Sequence, residues 1–219
     1  MLVLFGQPEN WHEQDFRAVD DRVRGGSSIS HLTEEKDSDG KSRAKFWGTL
    51  DTKTLGGAGF CSQATNIKDR TWNLKEFKGI ELDIAKSDSY KYTFIIKDCH
   101  QDWETSDEKS SLSYEYDFTP IYSKEDQVVS IPFSEFKPTY RGRPVEGAPE
   151  LDVSKITQFS IMIRSFFNSQ SGDYELVLNS IRAIPKNVPF TTHKMSNEKQ
   201  RLFDDYEKEI AGGSWCICQ

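Results

Sequence analysis

The sequence predicts an all-β domain, a sandwich or barrel, followed by a short C-terminal α-helix. Three observations predict it. Apolar residues alternate with polar ones in segment after segment, which is the period of a half-buried strand. Clusters of Asp, Ser, Gly and Pro separate these segments, as in KSDS at 86–89 and NSQSGD at 168–173. Between the strand-like segments there is no 3.6-residue period of the kind that marks an amphipathic helix.

The elements follow in chain order. Ala44, Phe46, Gly48 and Leu50 fall on one side of a strand, with a turn at Asp37 to Gly40 before it. LGGAG at 55–59 reads as a turn entering the strand FCSQA. Ile80, Leu82 and Ile84 alternate with Glu81 and Asp83. Tyr90, Tyr92, Phe94 and Ile96 form the next strand, and Leu112, Tyr114, Tyr116 and Phe118 the one after it. Val129, Ile131 and Phe133 follow. The stretch 134–150 holds three prolines and two glycines and reads as a surface loop. Phe159, Ile161 and Ile163, then Tyr174, Leu176 and Leu178, complete a set of about seven to nine strands. After Pro189 the period changes. Leu202, Phe203, Tyr206 and Ile210 share one stripe of a helix over 196–211, capped by Ser196 and stopped by Gly212-Gly213. The division expected is a β-domain at residues 1–187 and a helical tail at 188–219.

A chain of 219 residues suits one such domain with an appendage. Fourteen Phe, eight Tyr and five Trp supply large apolar side chains for its interior. The net charge of −7, without a Lys/Arg cluster, argues against nucleic acid as a partner. No apolar run approaches the ~18 residues that a membrane span needs. MLVLFG is too short for a secretory core, and the acids among residues 1–24 do not suit a mitochondrial presequence. Cys61, Cys99, Cys216 and Cys218 make no disulfide framework, which points to a reducing compartment.

DDRVRGGSSIS, Asp20 to Ser30, admits three readings. A phosphate loop needs GxxxxGK[ST] ahead of a helix, and neither this stretch nor the later glycine segment has it. Asp20 or Asp21 with backbone carbonyls could hold calcium. The third reading is a β-corner, in which Asp20 and Asp21 cap the turn while Gly25 and Gly26, like Gly56 and Gly57, supply positive φ or close approach.

The same residues resemble the DD-x-V-x-GG-x-S-x-S signature of the complex I intermediate-associated protein 30 (CIA30) family. The likeness continues in order through FWGTLDT, GGAGFCSQ, WNLKEFKGIELDI, YKYTFIIKD, VVSIPFSEFKPTYRGRP, LDVSKITQFSIMI and GDYELVLNSIRAI, covering roughly residues 11–184. The resemblance implies a jelly-roll domain similar to galactose-binding and carbohydrate-binding modules. It also implies a non-enzymatic, chaperone-like factor whose protein partner is a respiratory complex I assembly intermediate, and a mitochondrial address.

Catalytic chemistry is not expected. His12, His31, His100 and His193 are scattered, and no His-x-x-x-His, Cys-x-x-Cys or GxSxG spacing occurs. No cofactor or metal is therefore anticipated. A carbohydrate or other small ligand would use exposed aromatic platforms, for which Trp47, Trp72 and Trp103 are the candidates, with packing as the alternative role of each. Arg141 and Arg143 suit a partner carboxylate, or simply a solvated loop. Finally, Cys216-Ile217-Cys218-Gln219 fits C-a-a-X after a Gly-Gly-Ser hinge, and Gln at the last position favours farnesyl transfer to Cys216. Membrane association through a lipidated tail would place the protein in the cytoplasm, in competition with the mitochondrial address; an acidic rather than polybasic upstream helix weakens that anchor.

Overall fold

The computed structural model describes residues 1–67, 70–98, 112–123 and 125–190. The expected helix over 196–211, Trp103 and Cys216 lie outside the described residues.

Among the described residues thirteen strands form two antiparallel sheets packed face to face. The first sheet contains β1 (Leu2–Gly6), β3 (Ile29–Lys36), β4 (Ser42–Leu50), β6 (Phe77–Ser87), β9 (Gln127–Pro132) and β13 (Gly172–Pro185). Its order is β3-β4-β13-β6-β9, and β1 continues the edge of β13 where β4 stops. The second sheet contains β2 (Phe16–Ala18), β5 (Phe60–Thr65), β7 (Tyr92–Lys97), β8 (Ser113–Phe118), β10 (Lys137–Tyr140), β11 (Arg143–Pro144) and β12 (Gln158–Arg164). Its order is β11-β10-β8-β7-β12-β5-β2.

The alternation read from the sequence is the alternation of burial. Ile80, Leu82 and Ile84 on β6 are fully enclosed, as are Phe46 on β4, Phe94 and Ile96 on β7, and Leu176 and Leu178 on β13. Each such side chain contributes about 1.5–3 kcal/mol by leaving water. Aromatic rings from both sheets meet in the interior: Phe46 lies 5.0 Å from Tyr174 and 6.2 Å from Tyr92, and Phe94 lies 6.1 Å from Phe159. A sheet with one wet face and one dry face needs apolar residues only at every second position, so 36% hydrophobic residues fill the interior.

One expectation needs correction. The stretch 134–150 is not wholly loop, because β10 and β11 form a hairpin within it, pairing Thr139 with Pro144 and Tyr140 with Arg143. Pro138 is tolerated there because β11 lies beside only the last two residues of β10. Arg141 and Gly142 both have positive φ, 52° and 74°, which is the two-residue turn whose twist matches a tight hairpin.

Candidate binding groove

The outer face of the second sheet carries a concave site. Strand register builds its floor. Ala64, Ser160, Ile95 and Glu115 align across β5, β12, β7 and β8, and Ser62, Met162, Thr93 and Asp117 form the adjacent row. These side chains point away from the core, yet Ser62, Ser160, Thr93, Ile95, Met162 and Glu115 are all buried. Outward residues become buried only where walls rise beside them.

One wall begins at the acidic corner. Asp21 to Arg24 form a single 3-10 turn ended by Gly25 at φ 81°. Asp20 Oδ1 accepts hydrogen bonds from Ser30 Oγ (2.6 Å) and the Ser62 N–H (3.1 Å), and its Oδ2 accepts from the Ser30 N–H (2.9 Å). Asp21 accepts from the Ser28 N–H (3.0 Å), Ser28 Oγ (2.6 Å) and the Phe60 N–H (3.2 Å). Each carboxylate thus ties β3, or the residues leading into it, to β5 in the facing sheet. Donors occupy the oxygens that calcium would need, so the corner is built as a staple rather than a cation cage. The staple sets Val19 and Arg24 beside Phe60 on the groove's margin, with the Arg24 guanidinium 5.6 Å from the Phe60 ring centre.

The opposite margin comprises Arg141 and Gly142 of the β10–β11 turn, and Phe166 and Phe167 follow the end of β12. Phe166, Phe167 and Asn168 are three successive left-handed residues, with φ of 43°, 55° and 69°. Such backbone costs roughly 1–2 kcal/mol per residue for side chains larger than Gly. The turn holds Phe167 94% exposed. The groove is open on one side and has a volume of about 570 Å³, in the range of small-ligand clefts.

The charged groups of the groove are linked. Arg164 Nη1 donates to Glu115 Oε2 (2.8 Å) and Nη2 to Asp117 Oδ1 (2.7 Å). Thr93 Oγ1 donates to the same Asp117 oxygen at 2.7 Å, and Lys91 Nζ lies 3.7 Å from Asp117 Oδ2. Burial, with Arg17 adding repulsion, holds the Lys97 ammonium below its ordinary range, while Glu115 opposes that shift. Among the described residues, Arg24, Lys91, Lys97, Arg141 and Arg164 line the groove against two carboxylates, Glu115 and Asp117.

Comparison with known proteins places this architecture. The model of a family described as complex I intermediate-associated protein 30 (CIA30) matches residues 3–178. The chain belongs to the CIA30 family. Its fold is similar to the family 11 carbohydrate-binding module of the cellulosomal cellulase Lic26A-Cel5E of Clostridium thermocellum, at 17% identity and a TM-score of 0.60, covering 87% of this chain and 96% of that one. A second structure of a family 11 module from Clostridium thermocellum, in complex with a β-1,3-1,4-mixed-linked tetrasaccharide, gives 19% identity and 0.59, covering 84% of this chain and 95% of that one. The agarase AgWH50C matches at 13% identity and 0.53, over 97% of this chain but 33% of its own. At these identities the likeness is one of fold.

In this CIA30 domain the two described aromatic platforms named from sequence, Trp47 and Trp72, do not come together. Trp72 is 6% exposed and packs 5.0 Å from Phe159, so it is a core residue and not a surface platform. Trp47 is outward, as its alternation with Phe46 suggests, but it lies on the first sheet, stacked on His31 at 4.5 Å and donating to Thr33 Oγ1. Of the two loop arginines, Arg141 lines the groove and Arg143, on β11, does not. Gly26 lacks room for a Cβ, which would collide with the Asp21 carboxylate, whereas Gly25 faces open space and is needed for its φ. Gly56 and Gly57 turn the chain with φ of 61° and 98°, and Gly57 donates its N–H to the Thr52 carbonyl. The residues that sequence reasoning missed are the floor and the Phe60, Phe166 and Phe167 margin. The available signal was partial: polar or small residues hold most second positions of 60–64, 91–97, 113–117 and 158–164, but Phe60, Ile95 and Met162 interrupt them.

Proposed function

We propose that this chain is a non-enzymatic, protein-binding assembly factor that associates with partly built respiratory complex I in the mitochondrion. The family match over residues 3–178 carries this reading. A sandwich with an open, charged cleft suits a protein that holds a partner without altering it. The test is deletion of the gene followed by native gel electrophoresis. Loss of mature complex I, accumulation of its intermediates and co-migration of tagged protein with those intermediates are expected; normal complex I assembly in the deletion overturns the reading.

A second reading is a carbohydrate or small-ligand module. It is favoured by the concave sheet face and by the tetrasaccharide held by one of the family 11 modules of like fold. The tail supplies a competing address. Farnesyl transfer to Cys216 would give reversible membrane attachment from the cytoplasmic side. No helix among the described residues is long and apolar enough to cross a membrane. Mass spectrometry of native protein decides the tail, and an intact, unmodified Gln219 terminus rules the lipid out.

A further inference from the structure

The acidic corner carries a turn that takes no part in its staple. Asp20, Asp21, Ser28 and Ser30 make the hydrogen bonds there, while Arg22, Val23, Arg24, Gly25 and Ser27 are exposed. This rim reads Arg-Val-Arg-Gly-Gly-Ser, from Arg22 to Ser27. Ser27 is the only serine or threonine of the chain with an arginine three residues before it, and Arg22 adds a second arginine two residues earlier. Serine kinases that select basic substrates read such a charge pattern, pairing the guanidiniums with carboxylates beside the catalytic cleft. The structure chooses among the three serines of the stretch. Ser28 is fully buried and gives its hydroxyl to Asp21 Oδ2 at 2.6 Å. Ser30 is buried and gives its hydroxyl to Asp20 Oδ1 at 2.6 Å. Ser27 is exposed, and its hydroxyl accepts from Thr54 Oγ1 at 3.1 Å. The turn is held by the Val23, Gly25 and Gly26 N–H groups, which donate to the carbonyls of Asp20, Arg22 and Asp21 at 3.4, 3.0 and 3.1 Å. Exposed turns with so few bonds open locally at small cost, and the two glycines between Arg24 and Ser27 let the segment adapt.

We propose that Ser27 is a phosphorylation site, modified by a serine kinase that reads Arg22 and Arg24. In the transfer, Ser27 Oγ forms a bond to the γ-phosphorus of ATP. The bond from that phosphorus to the β,γ-bridging oxygen breaks and ADP leaves, while the hydroxyl proton passes to the catalytic aspartate of the kinase. The product carries roughly two negative charges close in sequence to Arg24. Arg24 lies over Phe60 on the groove's margin, so the modification changes the charge at that margin. The site goes beyond both readings of function above and rests on neither.

The experiment incubates the full chain, and separately a synthetic peptide of residues 18–31, with radiolabelled ATP and the catalytic domain of protein kinase B, a kinase selective for this arginine spacing. Mass spectrometry of proteolytic fragments locates the phosphate. Both substrates are expected to be modified at Ser27, with Ser28 and Ser30 of the full chain untouched. Ser27→Ala is expected to abolish that transfer. Arg22→Gln and Arg24→Gln together are expected to slow it at least about ten-fold, with the melting temperature unchanged. The same pair of substitutions in the peptide separates recognition from folding. Modification of the peptide but not of the full chain overturns the proposal, because the fold then withholds the hydroxyl. So do failure of both substrates, a full chain that takes its phosphate chiefly at another residue, and undiminished transfer to the double-arginine variant.

Discussion

Asp21 shows how one side chain carries both stability and site geometry. Its carboxylate accepts three hydrogen bonds from Ser28 and Phe60 and is fully buried. Asp21→Ala strands those donors without water, and a loss of about 3 kcal/mol is expected in urea unfolding. The neighbouring glycines separate two causes. Gly25→Ala meets only the left-handed φ of 81° and should cost about 1 kcal/mol. Gly26→Ala drives a Cβ into the Asp21 carboxylate, displacing the staple, and should approach the Asp21→Ala loss of about 3 kcal/mol. Equal effects at the two glycines would contradict this division. The paired acids and double glycine were visible in the sequence as a corner; that the acids reach across to the other sheet was not, because Ser62 and Phe60 are about forty residues away along the chain.

At the scale of elements, legibility followed the period. Strands with an unbroken apolar face, such as β6 and β12, were read because Ile80, Leu82, Ile84 and Phe159, Ile161, Ile163 are core residues at every second position. β10 and β11 were hidden by Pro138, Pro144 and the charged residues around them. The groove was hidden for a related reason: its floor comes from the less apolar side of β5, β7, β8 and β12, and the order β8-β7-β12-β5 cannot be read from sequence spacing. The β10–β11 hairpin offers a direct check. At Gly142 an added side chain has room, with Arg164 Nη1 3.8 Å from the Cβ, so Gly142→Val is penalised by its φ of 74°. About 1–2 kcal/mol of stability should be lost. An unchanged unfolding midpoint in Gly142→Val would contradict this.

For the whole molecule, one partly buried amine makes stability depend on pH in a definite direction. Lys97 has a folded value below 10.5, set by burial and then by Arg17. Below that folded value the amine is charged in both states, and the cost of burying it is fully present. As pH rises toward the unfolded value, the folded state loses its proton first and the cost fades. Lys97→Met should therefore stabilise the protein at pH 7, and the gap from the parent chain should close by about pH 10.5; urea titrations at both pH values check this, and a gap that widens with pH refutes it. The central place of β13 has a further result, for biosynthesis. It pairs with β1, β4 and β6, yet it is translated after all three. The first sheet cannot zip until the ribosome has delivered residues 172–185, and until then the earlier strands wait with open edges. A nascent chain stalled short of that point should remain a client of holdase chaperones, and folding should begin abruptly once Gly172–Pro185 clears the exit tunnel.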